Sequence, residues 1–125
     1  MLTMAKSTEE ISHGVDFYIA LGDFLDDFYR QSGEARQAML ADAPDERLPI
    51  RKEHAALLAA TAHKLANDYK LSVPAWAMDK KYKMTEQPYF DCNAKGNLRL
   101  LFMYKSPTEF KYRNLFVDEN FLMRV

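Results

Sequence analysis

The stretch "IRKEHAALLAATAHKLANDYKL", residues 50–71, decides how the rest of this chain is read. Ile50, Leu57, Leu58 and Leu65 fall on one stripe at helical spacing, and alanines at 55, 56, 59, 60, 62 and 66 surround it. Leucine bordered by alanine on several sides lets other helices approach closely from more than one direction, so this segment is predicted to be the central helix of a helical bundle. Pro74 sets its downstream limit, because proline lacks the backbone donor that a continuing helix needs.

Upstream, "STEEISHGVDFYIALGDFLDDFYRQSG", residues 7–33, reads as one long helix. Ser7 and Glu10 have capping-box spacing, Arg30 suits the last turn and Gly33 suits the C-terminal cap. Ile11, Val15, Tyr18, Gly22, Leu25 and Tyr29 form the expected buried seam, flanked by Phe17, Leu21, Phe24 and Phe28. A glycine in that seam predicts close approach of another helix at Gly22. Glu9, Asp16, Asp23, Asp26 and Asp27 line the opposite side as an acidic ridge, which reads as a solvated face rather than a cation site. Between the two long helices, "EARQAMLADAPDERLP" predicts a short helix ending before Pro44 and then a polar turn.

Downstream the character changes. Pro74, Pro88 and Pro107 interrupt the chain, and ten of its sixteen aromatics fall within residues 70–125, so long regular elements are not expected there. "NLRLLFMYKS", residues 97–106, suits both a short helix and a buried strand; the spacing of Leu98, Leu101, Phe102 and Lys105 favours the helix. "RNLFV" reads as a short extended piece, with Asp118 capping a final turn. The chain ends in Phe110, Leu115, Phe116, Val117, Phe121, Leu122 and Val125, which are expected to fold back onto the helical half. The predicted architecture is therefore mainly α: a single domain over residues 1–125, with a helical bundle over about 7–70 and an irregular aromatic cover over about 71–125 that includes a short β element.

Composition excludes several classes of function. At 125 residues, 48% hydrophobic and 28% charged, the chain has material for one core. The single cysteine, Cys92, permits no internal disulfide and reads as a free structural thiol in a reducing cytoplasm. No apolar run is long enough for a membrane span, and the start of the chain lacks a signal-peptide layout. Residues 1–69 carry 7 Lys+Arg against 12 Asp+Glu, or −5, and residues 70–125 carry 10 against 6, or +4. The halves can thus attract each other or present opposite signs to partners.

Catalytic motifs are sparse. His54 projects onto the apolar stripe, and Arg47 precedes it at a spacing compatible with the loose Arg-x-His pattern of the HEPN ribonucleases, in which arginine stabilises phosphate charge and histidine transfers protons. Pro49 lies inside the spacing and puts Arg47 in a turn, so His54 reads first as a structural histidine. His63 lies on the far side of the helix from His54 and His13 stands apart, so neither a metal site nor any cofactor is expected. There is no phosphate-binding glycine loop and no nucleophile elbow. Tyr104, Lys105, Phe110, Lys111, Tyr112 and Arg113 interleave rings with cations, a composition compatible with single-stranded nucleic acid, although their apolar neighbours favour burial.

The C-terminal half has a recurrent pattern: Pro74-Ala75-Trp76, Pro88-Tyr89-Phe90, a leucine-rich segment, Ser106-Pro107 with Phe110, then Arg113-Asn114-Leu115-Phe116-Val117. It resembles a family of small uncharacterised bacterial proteins, some of which carry a similar segment beside helix-turn-helix regulators and which are similar to toxin–antitoxin accessory proteins in their surroundings. The resemblance implies no catalytic residue. It implies a cytoplasmic interaction module of antitoxin or regulatory type that binds another protein or itself rather than nucleic acid or membrane. Trp76, Phe110, Tyr112 and Arg113 are its predicted partner-binding anchors, since aromatics and arginine dominate interface energetics. The ribonuclease reading of Arg47 and His54 and nucleic-acid binding by the basic tail are the alternatives.

Overall fold

In the computed structural model, which describes residues 1–124, helix formation begins at Thr3. The Thr3 hydroxyl accepts the Lys6 N–H and caps α1, Met4–Ser12. Gly14 then takes a φ of +103°, a conformation that L side chains rarely adopt, and the chain breaks. Asp16 restarts it: its carboxylate accepts the Tyr18 and Ile19 N–H groups at the head of α2, Phe17–Arg30. The helix expected over 7–33 is thus two, divided by a glycine and an N-cap aspartate. Ser7, the expected cap, lies buried inside α1.

Splitting the helix also turns its buried face. Phe17, Ala20, Leu21, Gly22, Phe24, Leu25 and Phe28 are covered, whereas Val15 and Tyr18, expected in the seam, are exposed, as is Ile19. The flanking row of large residues at 17, 21, 24 and 28 fills the core together with Gly22 and Leu25 of the expected seam, and Ile11 and Tyr29 of that seam pack against it partly buried. Gly22 does lie against another group, but that group is a side chain rather than a helix. A Cβ there would sit 3.0 Å from the Arg124 guanidinium, which also pairs with Asp26 at 2.9 Å.

After α3, Gly33–Ala41, and the polar turn, α4 runs over Lys52–Asp68. Ala56 through Ala62 are buried without a gap, nearly two full turns, so this helix is enclosed on all sides. Thr61 can lie there because its hydroxyl donates to the Leu57 carbonyl at 2.8 Å. Helices α1 and α3 pack on α4 from the N-terminal half. The short 3-10 turns Ala75–Met78 and Lys80–Tyr82, together with α6, Thr108–Lys111, cover it from the C-terminal half.

The cover is irregular but well tied. Strands β1, Tyr89–Phe90, and β2, Leu115–Phe116, pair in parallel with Tyr89 opposite Leu115 and Phe90 opposite Phe116. The Phe90 and Phe116 rings stack at 5.0 Å. Between β1 and α6 lies α5, Gly96–Lys105, so the favoured helical reading of this stretch holds. Ser106 pins its end: the hydroxyl lies 2.6 and 2.8 Å from the Phe102 and Val117 carbonyls and accepts the Val117 N–H. Phe110, Leu115, Val117 and Leu122 join the same core as α2 and α4, so the terminal residues do fold back. Val125 lies outside the described residues.

Candidate interaction surface

Two of the four expected anchors are structural. Phe110 is fully buried against Phe121, and Arg113 is 1% exposed. The Arg113 guanidinium donates to the Ala77 carbonyl at 2.7 Å, the Glu109 carbonyl at 2.8 Å and His63 Nδ1 at 3.1 Å. Arginine has only donors, so His63 must accept there as a neutral ring. Burial, with Arg113 second, holds the His63 pKa below its ordinary value. Arg113 thus ties α4, α6 and the turn at Ala77 together inside the molecule and is not available as a partner anchor. Trp76 is half-buried: its indole N–H donates to the Leu40 carbonyl at 2.9 Å and its ring meets Tyr82 edge-on. Tyr112 alone of the four is exposed, with Lys83 Nζ 4.0 Å above its ring.

The ribonuclease pair does not assemble. His54, half-buried in the first turns of α4, stacks on Phe17 with centroids 4.3 Å apart, and burial followed by the nearby Arg51 charge lowers its pKa. Arg47 stands on the exposed turn and grips Asp45 through two contacts of 3.1 Å. The apolar cavity beside that turn, about 270 Å³ and lined by Leu48, Ile50, Leu58 and Tyr82, includes neither residue. The basic tail is dispersed as well, because burial of Phe110 and Arg113 removes the centre of its alternating row.

The acidic ridge is divided among separate tasks. Asp16 caps α2, Asp26 pairs with Arg124, and Asp27 accepts the Leu2 N–H at 2.6 Å and the Gln31 amide at 3.1 Å. The Leu2 contact, then Gln31, holds the Asp27 carboxyl below the usual range. Among the described residues no group of three His, Cys, Asp or Glu is placed to hold a metal ion.

A polar cluster escaped the sequence reading. Asp91, 5% exposed, accepts the hydroxyls of Tyr18 and Tyr89 and lies 3.4 Å from the Cys92 thiol. Burial, then the hydrogen bond to Asp91, pushes the Tyr18 hydroxyl far above its ordinary range. The Cys92 thiol is raised by partial burial and by Asp91, the opposite of an activated thiolate. The cluster fastens α2 to the turn before α5. Only Tyr89, Asp91 and Cys92 are close in sequence, so Tyr18 could not have been assigned to it.

The feature that stands out is α5 itself. Leu98, Leu100, Leu101, Met103 and Tyr104 are 45, 63, 49, 47 and 76% exposed, and only Phe102 of this helix is buried. These are the residues a buried strand or core helix would have covered. From Cys92 to Thr108 the chain carries Lys95, Arg99 and Lys105 and no acidic residue. The result is an apolar helix with a basic border, fixed by Ser106 and by contacts with β2.

No family model, curated protein or solved structure matches the chain. No described helix is long and apolar enough to cross a membrane.

Proposed function

We propose that this protein is a non-enzymatic, cytoplasmic interaction module of regulatory or antitoxin type, and that α5 is its contact surface. The observation that supports this reading is the exposure of Leu98, Leu100, Leu101, Met103 and Tyr104 on one short helix. Covering a leucine side chain yields about 1.5–3 kcal/mol, so a few of them suffice to drive association. Exposed apolar patches on otherwise folded domains mark sites of interaction. Tyr112 is the one earlier anchor that stays exposed, while Arg113 and Phe110 serve to hold the cover in place.

The test compares tagged wild-type protein with a Leu100→Asp, Leu101→Asp variant, each purified from the native host and weighed by light scattering. The wild type is expected to elute as a stoichiometric complex, with itself or with another protein. The variant should elute as a monomer with an unchanged thermal midpoint, since both side chains are exposed. A wild-type chain that is monomeric and without a partner would overturn the reading.

A further inference from the structure

The apolar cavity beside the polar turn lies apart from α5. It holds about 270 Å³ between the turn after α3, the first turns of α4 and the 3-10 turn Lys80–Tyr82, and no residue of α5 lines it. Leu48, Ile50, Ala55 and Leu58 form its apolar wall. Benzene fills an engineered apolar cavity of about 150 Å³, so this one has room for a ring with a short chain attached.

Tyr82 lines the same cavity and is only 8% exposed, yet among the described residues its hydroxyl has no hydrogen-bond partner. A buried hydroxyl is ordinarily paired. Nor is this one sealed: Ser7 Oγ is the one fully enclosed side-chain polar atom without a partner among the described residues, so the Tyr82 oxygen keeps access to open space. Burial, then the Asp79 charge, raises the Tyr82 pKa. The hydroxyl therefore holds its proton and is an available donor.

The charges around the cavity select the acceptor. Asp45 is gripped by Arg47, and Glu46 pairs with Lys81, which also lies 3.6 Å from Asp79. Of the charged residues lining the cavity, Lys52 alone makes no ion pair among the described residues. It is the first residue of α4, whose head no side chain caps, so the helix dipole adds to its positive charge. An unpaired cation and an unpaired hydroxyl donor beside an apolar wall fit an anionic head on an apolar body.

We propose that this cavity binds a small organic carboxylate, its ring or short alkyl body against Leu48, Ile50, Ala55 and Leu58 and its carboxylate held by the Tyr82 hydroxyl and the Lys52 ammonium. The site is separate from α5 and does not rest on α5 being a contact surface.

The experiment is titration calorimetry of the full chain with phenylacetate, beside the alcohol phenylethanol and the amine phenethylamine, with NMR of the Leu48 and Ile50 methyl groups to locate the ligand. The acid is expected to bind saturably, to shift both residues and to raise the thermal midpoint. Tyr82→Phe keeps the ring that meets Trp76 and should weaken the acid about tenfold, because the carboxylate loses a charge-assisted hydrogen bond. Lys52→Gln should weaken the acid about threefold or more and leave the alcohol unchanged. Circular dichroism checks that both variants are folded. An acid that binds no better than the alcohol, or an amine that binds best, would overturn the carboxylate assignment. Unshifted Leu48 and Ile50 methyl groups, an acid affinity indifferent to both substitutions, or no saturation by any of the three probes would overturn the site itself.

Discussion

Helix α4 packs mostly small side chains and is enclosed from Ala56 to Ala62, whereas α5, richer in large apolar residues, buries only Phe102. The contrast is one of geometry rather than hydrophobicity. Alanines let α1, α3, α6 and the turns after Pro74 approach α4 from every side, so even its small surface is fully removed from water. In α5 the leucines, methionine and tyrosine are spread around the axis, so no single flank of the core can take them all. One side, which buries Phe102, packs near β2 and the rest stays uncovered. A strongly apolar segment therefore says that cover is wanted, and the surrounding elements decide whether it comes from the same chain.

This contrast can be broken most directly by truncation. Leu58→Ala in α4 is expected to cost about 2–5 kcal/mol in urea unfolding, because the enclosed site cannot collapse around the lost atoms. Leu100→Ala in α5 should change stability by no more than about 0.5 kcal/mol when measured on the dilute monomer. Comparable losses at both sites would mean that α5 is already covered at the concentration used.

The clamp between the halves gives the next effect. Arg113→Met should cost about 2–4 kcal/mol, since the Ala77 and Glu109 carbonyls lose a charged donor in a buried setting. If its urea midpoint matches that of the wild type, Arg113 is not what joins the cover to α4. Gly14→Ala, which forces a Cβ onto a φ of +103°, is expected to cost about 1–2 kcal/mol by the same assay. No neighbouring atom lies within 4 Å of that Cβ, so any loss reports backbone strain alone.

Acid sharpens the comparison further. His54 and His63 both have folded pKa values below the ordinary 6.5, so below that pH the unfolded chain binds more protons than the folded one. Their contribution is complete above pH 6.5 and is lost as pH falls from there through the lower folded values. The urea midpoint should accordingly be lower at pH 5 than at pH 7. His63→Gln should flatten part of that slope by removing the proton uptake beside Arg113, and an unchanged slope would show that His63 contributes none of it.

Much of the fold was legible because periodicity reports local geometry. The leucine and alanine pattern of residues 50–71 located the central helix, Pro44 and Pro74 marked real limits, and the apolar chain end announced its return to the core. The break before α2 was harder to read, because Gly14 and Asp16 fit a helical charge pattern almost as well as a turn followed by a cap. The candidate surface was legible only in part. Tyr112 and the basic border could be read from composition, but the roles of Phe110 and Arg113 were reversed, since an arginine among aromatics looks the same whether it faces a partner or three internal acceptors.

By itself, the sequence determined the helical class, the central position of residues 50–71 and the return of the chain end, because these follow from spacings and breakers within a few turns of chain. Only the tertiary structure decided which apolar residues remain outside, that Tyr18 reaches Asp91, and that Arg113 is an internal clamp. Each of those depends on elements far apart in the chain meeting at one point, and no local pattern encodes that meeting.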